Sequence, residues 1–447
     1  MSPEYPELLS PTVPKIHRKS SLSCKENSLR GTIIFWIKLA LGSSSFTFPY
    51  MFKTFGVFAA TLFSCSAGYL NYKCCLNIFE ANEQYHATSY PKLVGIWLGR
   101  RFGVVFQWIL TLDLYFTTLC DVIVSWSFFK YILFFTGWGM PHYYQWISDS
   151  RSLDFDESHP QIVLIRFLYF SALFAVSLPL FCKSELYSFR FITKGFLFCF
   201  FALTGWVVIE SPCNFDSRGG APGNSIEFLW KKPRGDWPDL GFYLMSNFSA
   251  QVFLFTLIGR LRHPTQTRLQ RVSRVAILSV LATAVVVGAS VYIALGDLYT
   301  PVFLPLRKPP LGFQVGEPLF RLLIFFYFVA LVGGLAVNMV ALRDVMRPIL
   351  KVRPTERNVK AQAILVLGSL VVLGFLVPDI IEIGTLTNTL LSSWDSYTVP
   401  IVLKLALLAK QGKSGLHKAP HVLLLLGINA MVVYSFGCRL GRLLYGG

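Results

Sequence analysis

Gly31-Thr-Ile-Ile-Phe-Trp-Ile-Lys38-Leu-Ala-Leu-Gly42-Ser43-Ser44-Ser45-Phe46-Thr47-Phe48-Pro49-Tyr50 opens the apolar part of the chain. A bilayer core of about 30 Å takes about 20 mostly apolar residues per helix, and this stretch is long enough. Its middle, however, is a poor recipe for a continuous helix. Glycine is about 1 kcal/mol and proline about 3 kcal/mol less favourable than alanine in a helix interior. Two readings follow. A helix broken at mid-bilayer turns freed N–H groups toward an anionic group and freed carbonyls toward a cation. The same residues also suit a Gly/Ser-rich helix–helix contact followed by a proline kink.

The rest of the chain sets that stretch in a membrane. Of 447 residues, 53% are hydrophobic and 15% charged, and the mean hydropathy is +0.52. Soluble domains average about 45–50% apolar and about 25% charged residues, so a soluble protein is excluded. With 33 Gly, 24 Pro and 9 Cys, fibrous, disordered and disulfide-scaffold classes are excluded as well. Eleven apolar spans can be read at about 31–53, 56–79, 103–130, 160–181, 189–210, 240–259, 275–296, 319–341, 361–378, 383–408 and 420–437. The tenth carries Asp395 with Ser392, Ser393 and Ser396, which either line a cavity or mark a local break before Pro400. The cysteines lie mostly in or beside spans and read as small apolar packers. Trp36, Trp108, Trp126, Trp138, Trp206 and Trp230 read mostly as interfacial belt residues.

The net charge of +17 supports the count. With the N-terminal tail inside and the sides alternating, 26 of the 41 basic residues fall inside and 12 outside. That is the positive-inside pattern, so the excess sets orientation and calls for no nucleic acid or other polyanion. Residues 1–30 read as a flexible cytoplasmic tail without a signal peptide, and eleven crossings put the C-terminus outside or in a lumen. The loop 211–239 reads as surface, leaving one membrane domain over 31–440.

Several chemistries lack residues to carry them. The seven histidines lie in tails, loops or span edges. No metal site and no cofactor is therefore expected, since haem or zinc would need ligands within the bundle. Gly412-Lys413-Ser414 would need a glycine at 407 to end a phosphate loop, and 407 is Leu. A membrane enzyme would need a His or acid pair at a membrane face. The nearest candidates, His142 and His159 with Asp154 and Asp156, share one long outer loop, so an enzyme is not expected.

Gly42-x-Ser44 followed by Pro49-Tyr50-Met51-Phe52-Lys53 and Gly56 resembles the first-helix signature of the amino acid/auxin permease family, within the amino acid–polyamine–organocation superfamily. Lys38 sits where many members carry a lysine. Phe248-Ser-Ala-Gln251 through Arg260-Leu-Arg-His-Pro264, Tyr292 with Gly296-Asp297, and Gly384-Thr-Leu-Thr-Asn388 with Pro400 agree with it. The chain departs from the pattern at Ser44, where the family has its second Gly, and at Met51, where it has Ala. The resemblance implies an all-α membrane protein of eleven transmembrane helices. Two inverted five-helix repeats would span about 31–210 and 240–408, with an eleventh helix at about 420–437. It implies secondary active transport of amino acids, driven by a proton or sodium gradient, in the plasma membrane or a vacuolar or lysosomal membrane. The alternative is a transporter-like sensor that binds an amino acid without carrying it.

On this reading the substrate lies where the first helix breaks, against Gly42, Ser43, Ser44 and Ser45. Asn247 and Ser249 of the sixth span and Thr385 and Asn388 of the tenth complete its pocket. Asp113 lies near the middle of the third span. A carboxylate there costs several kcal/mol, on the order of 3 by insertion scales, and is a candidate for ion coupling. It could also be a structural ion pair with Lys38 or Arg166. Asn338, after Gly333-Gly334 in the eighth span, is a candidate for cation or substrate contact. Asp121 is expected near the outer surface, solvated.

Overall fold

A computed structural model describes residues 28–41, 48–135, 144–147, 152–155, 160–182, 190–216, 241–242, 245–246, 248–249, 251–258, 261, 264–295, 318–350, 355–377, 384 and 386–445. Helix α1 (Leu29–Ala40) starts on Ser28, whose side-chain oxygen accepts from the Gly31 N–H at 3.2 Å. That bond serves one of the N–H groups every helix start leaves free. The Leu41 N–H closes the helix on the Ile37 carbonyl at 2.8 Å. Helix resumes as α2 (Phe48–Phe55), with Pro49 in its first turn, where a missing N–H removes no helical bond. The first span is therefore two helices, and Gly42, Ser43, Ser44 and Ser45 lie outside the described residues.

Gly56, at φ 84°, turns the chain from α2 into α3 (Val57–Glu83), a backbone conformation that an L side chain strains. There follow α4 (Tyr90–Leu98), α5 (Arg100–Phe135), α6 (Pro160–Phe181), α7 (Arg190–Asp216), α8 (Gln251–Ile258), α9 (Gln266–Leu295), α10 (Pro318–Leu350) and α11 (Glu356–Leu376). Between α5 and α6, β1 (Tyr144–Ile147) and β2 (Ser152–Phe155) form an antiparallel hairpin pairing Tyr144 with Phe155 and Ile147 with Ser152. Two π-helical turns, Asn388–Ser392 and Trp394–Thr398, lead into α12 (Val399–Lys410), and α13 (Gly415–Tyr445) follows.

Six helices among the described residues are long and apolar enough to cross a membrane: Arg100–Lys130, Pro160–Phe181, Gln266–Ile293, Arg321–Leu350, Arg357–Leu376 and Gly415–Arg439. The chain is a multi-pass helical membrane protein. The first and tenth of the eleven spans read from sequence are broken or non-α pieces, and only Gln251–Ile258 of the sixth is a helix of more than two described residues. The short helix α4 and the hairpin were not foreseen, because neither carries a span-length apolar run.

The core lies along α5 and α10, which pack against each other most extensively. Helix α7 joins α10, α11 joins α5 and α6, and α9 gathers α1, α2 and α3. Gly288 on α9 lets the buried Phe52 ring of α2 lie so close that a Cβ there would collide with it. Helix α13 is the outermost, packed on α12 and the π turns. Trp36 and Trp126 are 1% and 2% exposed and belong to this core, not to an interfacial belt, whereas Trp108 is exposed. A mid-helix tryptophan packs wherever helix–helix contact buries it, and hydropathy does not register that.

Candidate functional site

A cavity of about 90 Å³ lies at the C-terminal end of α1. Every span with an interruption reaches it. Lys38 and Ala40 come from α1, Ser246, Ser249 and Phe253 from the sixth span, and Gly384, Thr387, Asn388 and Ser392 from the tenth. The continuous helices α5 and α10 supply the remaining polar wall. Asp113, Thr117 and Asp121 recur every four residues on α5, so one helical stripe turns them all to the cavity, opposite Asn338 of α10.

Four residues singled out in the sequence thus meet here: Asp113, Ser249, Asn338 and Asn388. Asn247 and Thr385, like Gly42–Ser45, lie outside the described residues. Asp121 is not solvated near a surface as expected. It is buried and accepts a hydrogen bond from Asn338 Nδ2 at 2.7 Å. Counting residues along a span measures depth and not which side of the helix is covered. Lys38 is buried too, donates to the Gly334 carbonyl at 3.4 Å and lies 5.6 Å from the centre of the Phe196 ring. Asp121 lines the same cavity. The Lys38 contacts tie α1 to α10 and α7, and a cation over an aromatic face adds to them. Arg166 instead donates to the Gly374 carbonyl at 3.1 Å and lies 5.3 Å from the Phe375 ring.

Behind the cavity is a buried polar network that sequence reading missed. Its centre is the tenth span. Pro400 has no N–H to offer the Ser396 carbonyl four residues back, nor the Asp395 carbonyl five residues back, the partner in a π turn. Side chains from elsewhere serve both. Tyr90 on α4 donates its hydroxyl to the Asp395 carbonyl at 2.9 Å, and Gln251 Nε2 donates to the Ser396 carbonyl at 3.4 Å. Gln251 also donates to Asn71 Oδ1 on α3, and Ser249 donates to Gln251 Oε1 at 2.7 Å. Asn71 Nδ2 reaches the Met245 carbonyl at 3.2 Å, and Tyr397 donates to that same carbonyl at 2.7 Å. Ser249 and Ser396 are hydrogen-bonded to each other.

The two π turns present Ser392 and Asp395 inward. Ser392 shares its one hydroxyl proton between Asp113 and Asn388 Oδ1, the latter 3.1 Å away, while Ser396 donates to Asp395 Oδ1 at 2.7 Å. The available sequence signals were a proline after a polar run in an apolar span, and lone Asn and Gln residues within spans. Interrupted backbone at membrane depth is viable only where it is covered by protein or lines a cavity, and both hold here. No group of three or more potential metal ligands occurs among the described residues.

The fold is similar to that of solved membrane transporters. The chain is similar to the manganese transporter of Eremococcus coleocola at a TM-score of 0.52 and 13% identity, over 93% of this chain and 87% of that one. It is similar to MhsT, crystallised with L-phenylalanine, at a TM-score of 0.50 and 14% identity, over 92% of this chain and 97% of that one. At these identities the likeness is one of fold. No protein-family model matches the sequence, and no curated protein does.

Proposed function

We propose that this protein is a secondary active transporter that carries an amino acid across its membrane by alternating access, driven by a proton or sodium gradient. The cavity at the end of α1 is the observation that carries this reading. It gathers polar groups from the interrupted first, sixth and tenth spans and from α5 and α10 within an apolar bundle. Backbone groups of Gly42–Ser45, the segment that follows α1, bind the substrate carboxylate in this proposal. Asn247, Ser249, Thr385 and Asn388 shape the pocket, and Asp113 and Asn338 serve the coupling ion. The small volume favours a compact amino acid. The first-helix resemblance to amino acid/auxin permeases and the fold's likeness to solved membrane transporters support the same reading. The inverted repeats that the resemblance implies work by rocking one helix group on the other around a fixed site. The basic inner loops support a cytoplasmic N-terminus.

Uptake of a panel of radiolabelled amino acids into proteoliposomes, under an imposed proton or sodium gradient, tests it. Saturable accumulation that collapses with the gradient is the expected result. Saturable binding without accumulation would make the protein a sensor, and neither would reject an amino-acid ligand altogether.

A further inference from the structure

We infer that Asp113 and Asp395 form a single proton-binding site, one proton held between two carboxyls where the third span meets the tenth. We further infer that filling and emptying this pair is what couples transport to a gradient. The coupling role rests on the transporter reading above; the proton site itself does not.

The geometry carries it. Asp113 is 5% exposed and Asp395 fully buried, and Ser392, three residues before Asp395, hydrogen-bonds Asp113 and so brings the two acidic side chains to one place. An ionised carboxylate is an acceptor only, so two carboxyls brought together can bond only with a proton between them. Ser392 and Ser396 each turn a hydroxyl toward a carboxyl, on Asp113 and on Asp395 Oδ1. Asp395 Oδ2 is buried and meets no donor. Among the described residues neither carboxyl is paired with a lysine or arginine. Two ionised carboxylates brought together in an apolar bundle repel each other with little screening, so the pair is stable with one proton and not with none.

A metal-type cation fits less well. It needs several oxygen lone pairs converging on one point, and here Ser392 and Ser396 aim their O–H protons at the carboxylates. Access is through the cavity, which Asp113 and Ser392 line while Asp395 sits behind them. The other titratable groups around the pair are Cys120 and Asp121 on α5, Lys38 on α1, Tyr90 on α4, Cys74 and Cys75 on α3, and Tyr397. Lys38 donates to the Gly334 carbonyl, and Tyr90 and Tyr397 direct their hydroxyls to the carbonyls of Asp395 and Met245.

Infrared spectroscopy of the purified protein at neutral pH tests the site without substrate. The wild type should show a protonated-carboxyl C=O band that sodium does not move. Asp113→Asn and Asp395→Asn should each abolish it, because the new amide N–H can donate to the remaining carboxylate and the bundle keeps its fold. Absence of the band in the wild type, its survival in either variant, or its displacement by sodium would overturn the proposal. Uptake in proteoliposomes tests coupling. A one-proton step changes wild-type uptake by up to about tenfold per pH unit, and Asp395→Asn should reduce that to less than about twofold. A variant that keeps the wild-type pH dependence overturns the coupling role. A wild type that carries no amino acid yet shows the band as described rejects the transporter reading and leaves the proton pair standing.

Discussion

Tyr90→Phe isolates one hydrogen bond that the fold needs because of a proline 310 residues further along the chain. The ring stays, since its packing against Phe106 at 4.8 Å and Phe255 at 5.8 Å requires no hydroxyl. Only the donor to the Asp395 carbonyl, at 2.9 Å and buried, is lost. Leaving a buried carbonyl without a partner costs about 1–3 kcal/mol, and burial here puts the loss in the upper half of that range. The second substitution is Pro400→Ala, which returns a backbone N–H to the tenth span. In the wild-type background that N–H finds the Asp395 and Ser396 carbonyls already served by Tyr90 and Gln251, and the change is within about 0.5 kcal/mol. In the Tyr90→Phe background the same N–H finds an orphaned carbonyl and recovers about 1 kcal/mol. Reversible unfolding of the four proteins in detergent or bicelles measures the cycle, whose coupling term separates this account from two independent effects. A Tyr90→Phe loss below about 0.5 kcal/mol, or a coupling within about 0.3 kcal/mol of zero, would refute it.

Gly288→Ala drives a Cβ into the Phe52 ring and should destabilise by about 1–3 kcal/mol, with Phe52→Leu restoring most of it in a thermal-unfolding series. Asn338→Leu removes the 2.7 Å donor to Asp121; a bond to a charged group is worth about 1.5–3 kcal/mol, so gradient-driven uptake should fall by about tenfold or more. Lys404→Met breaks the ion pair with Glu80, whose side chains are 19% and 34% exposed, and should cost less than about 1 kcal/mol, shrinking further in high salt. Lowering the pH on the substrate side should raise uptake, because it fills the proton site, and Asp113→Asn should flatten that response.

Much of this protein is written in local composition. The apolar runs and their polar punctuation mark a multi-pass bundle, since a segment's hydropathy alone decides whether it can lie in lipid. Gly42 through Pro49 places an interruption in the first span, and helix stops at Ala40 and resumes at Phe48 around it. Asp113, Ser249, Asn338 and Asn388 stand out because a polar group in an apolar run must face something other than lipid, and all four line one cavity. Which groups meet there is a different kind of fact. Asp113 and Asp395 are joined by the packing of two spans that no periodicity relates. Asp121 is buried because α10 covers it, though its position along the helix suggested water. Tyr90 and Gln251 matter because they reach the Asp395 and Ser396 carbonyls, to neither of which Pro400 can offer an N–H. Hydropathy and helix-breaking act over a few neighbouring residues and can be read from them. Hydrogen-bond partnership and shared charge act over about 3 Å in space, and only the folded bundle sets those distances.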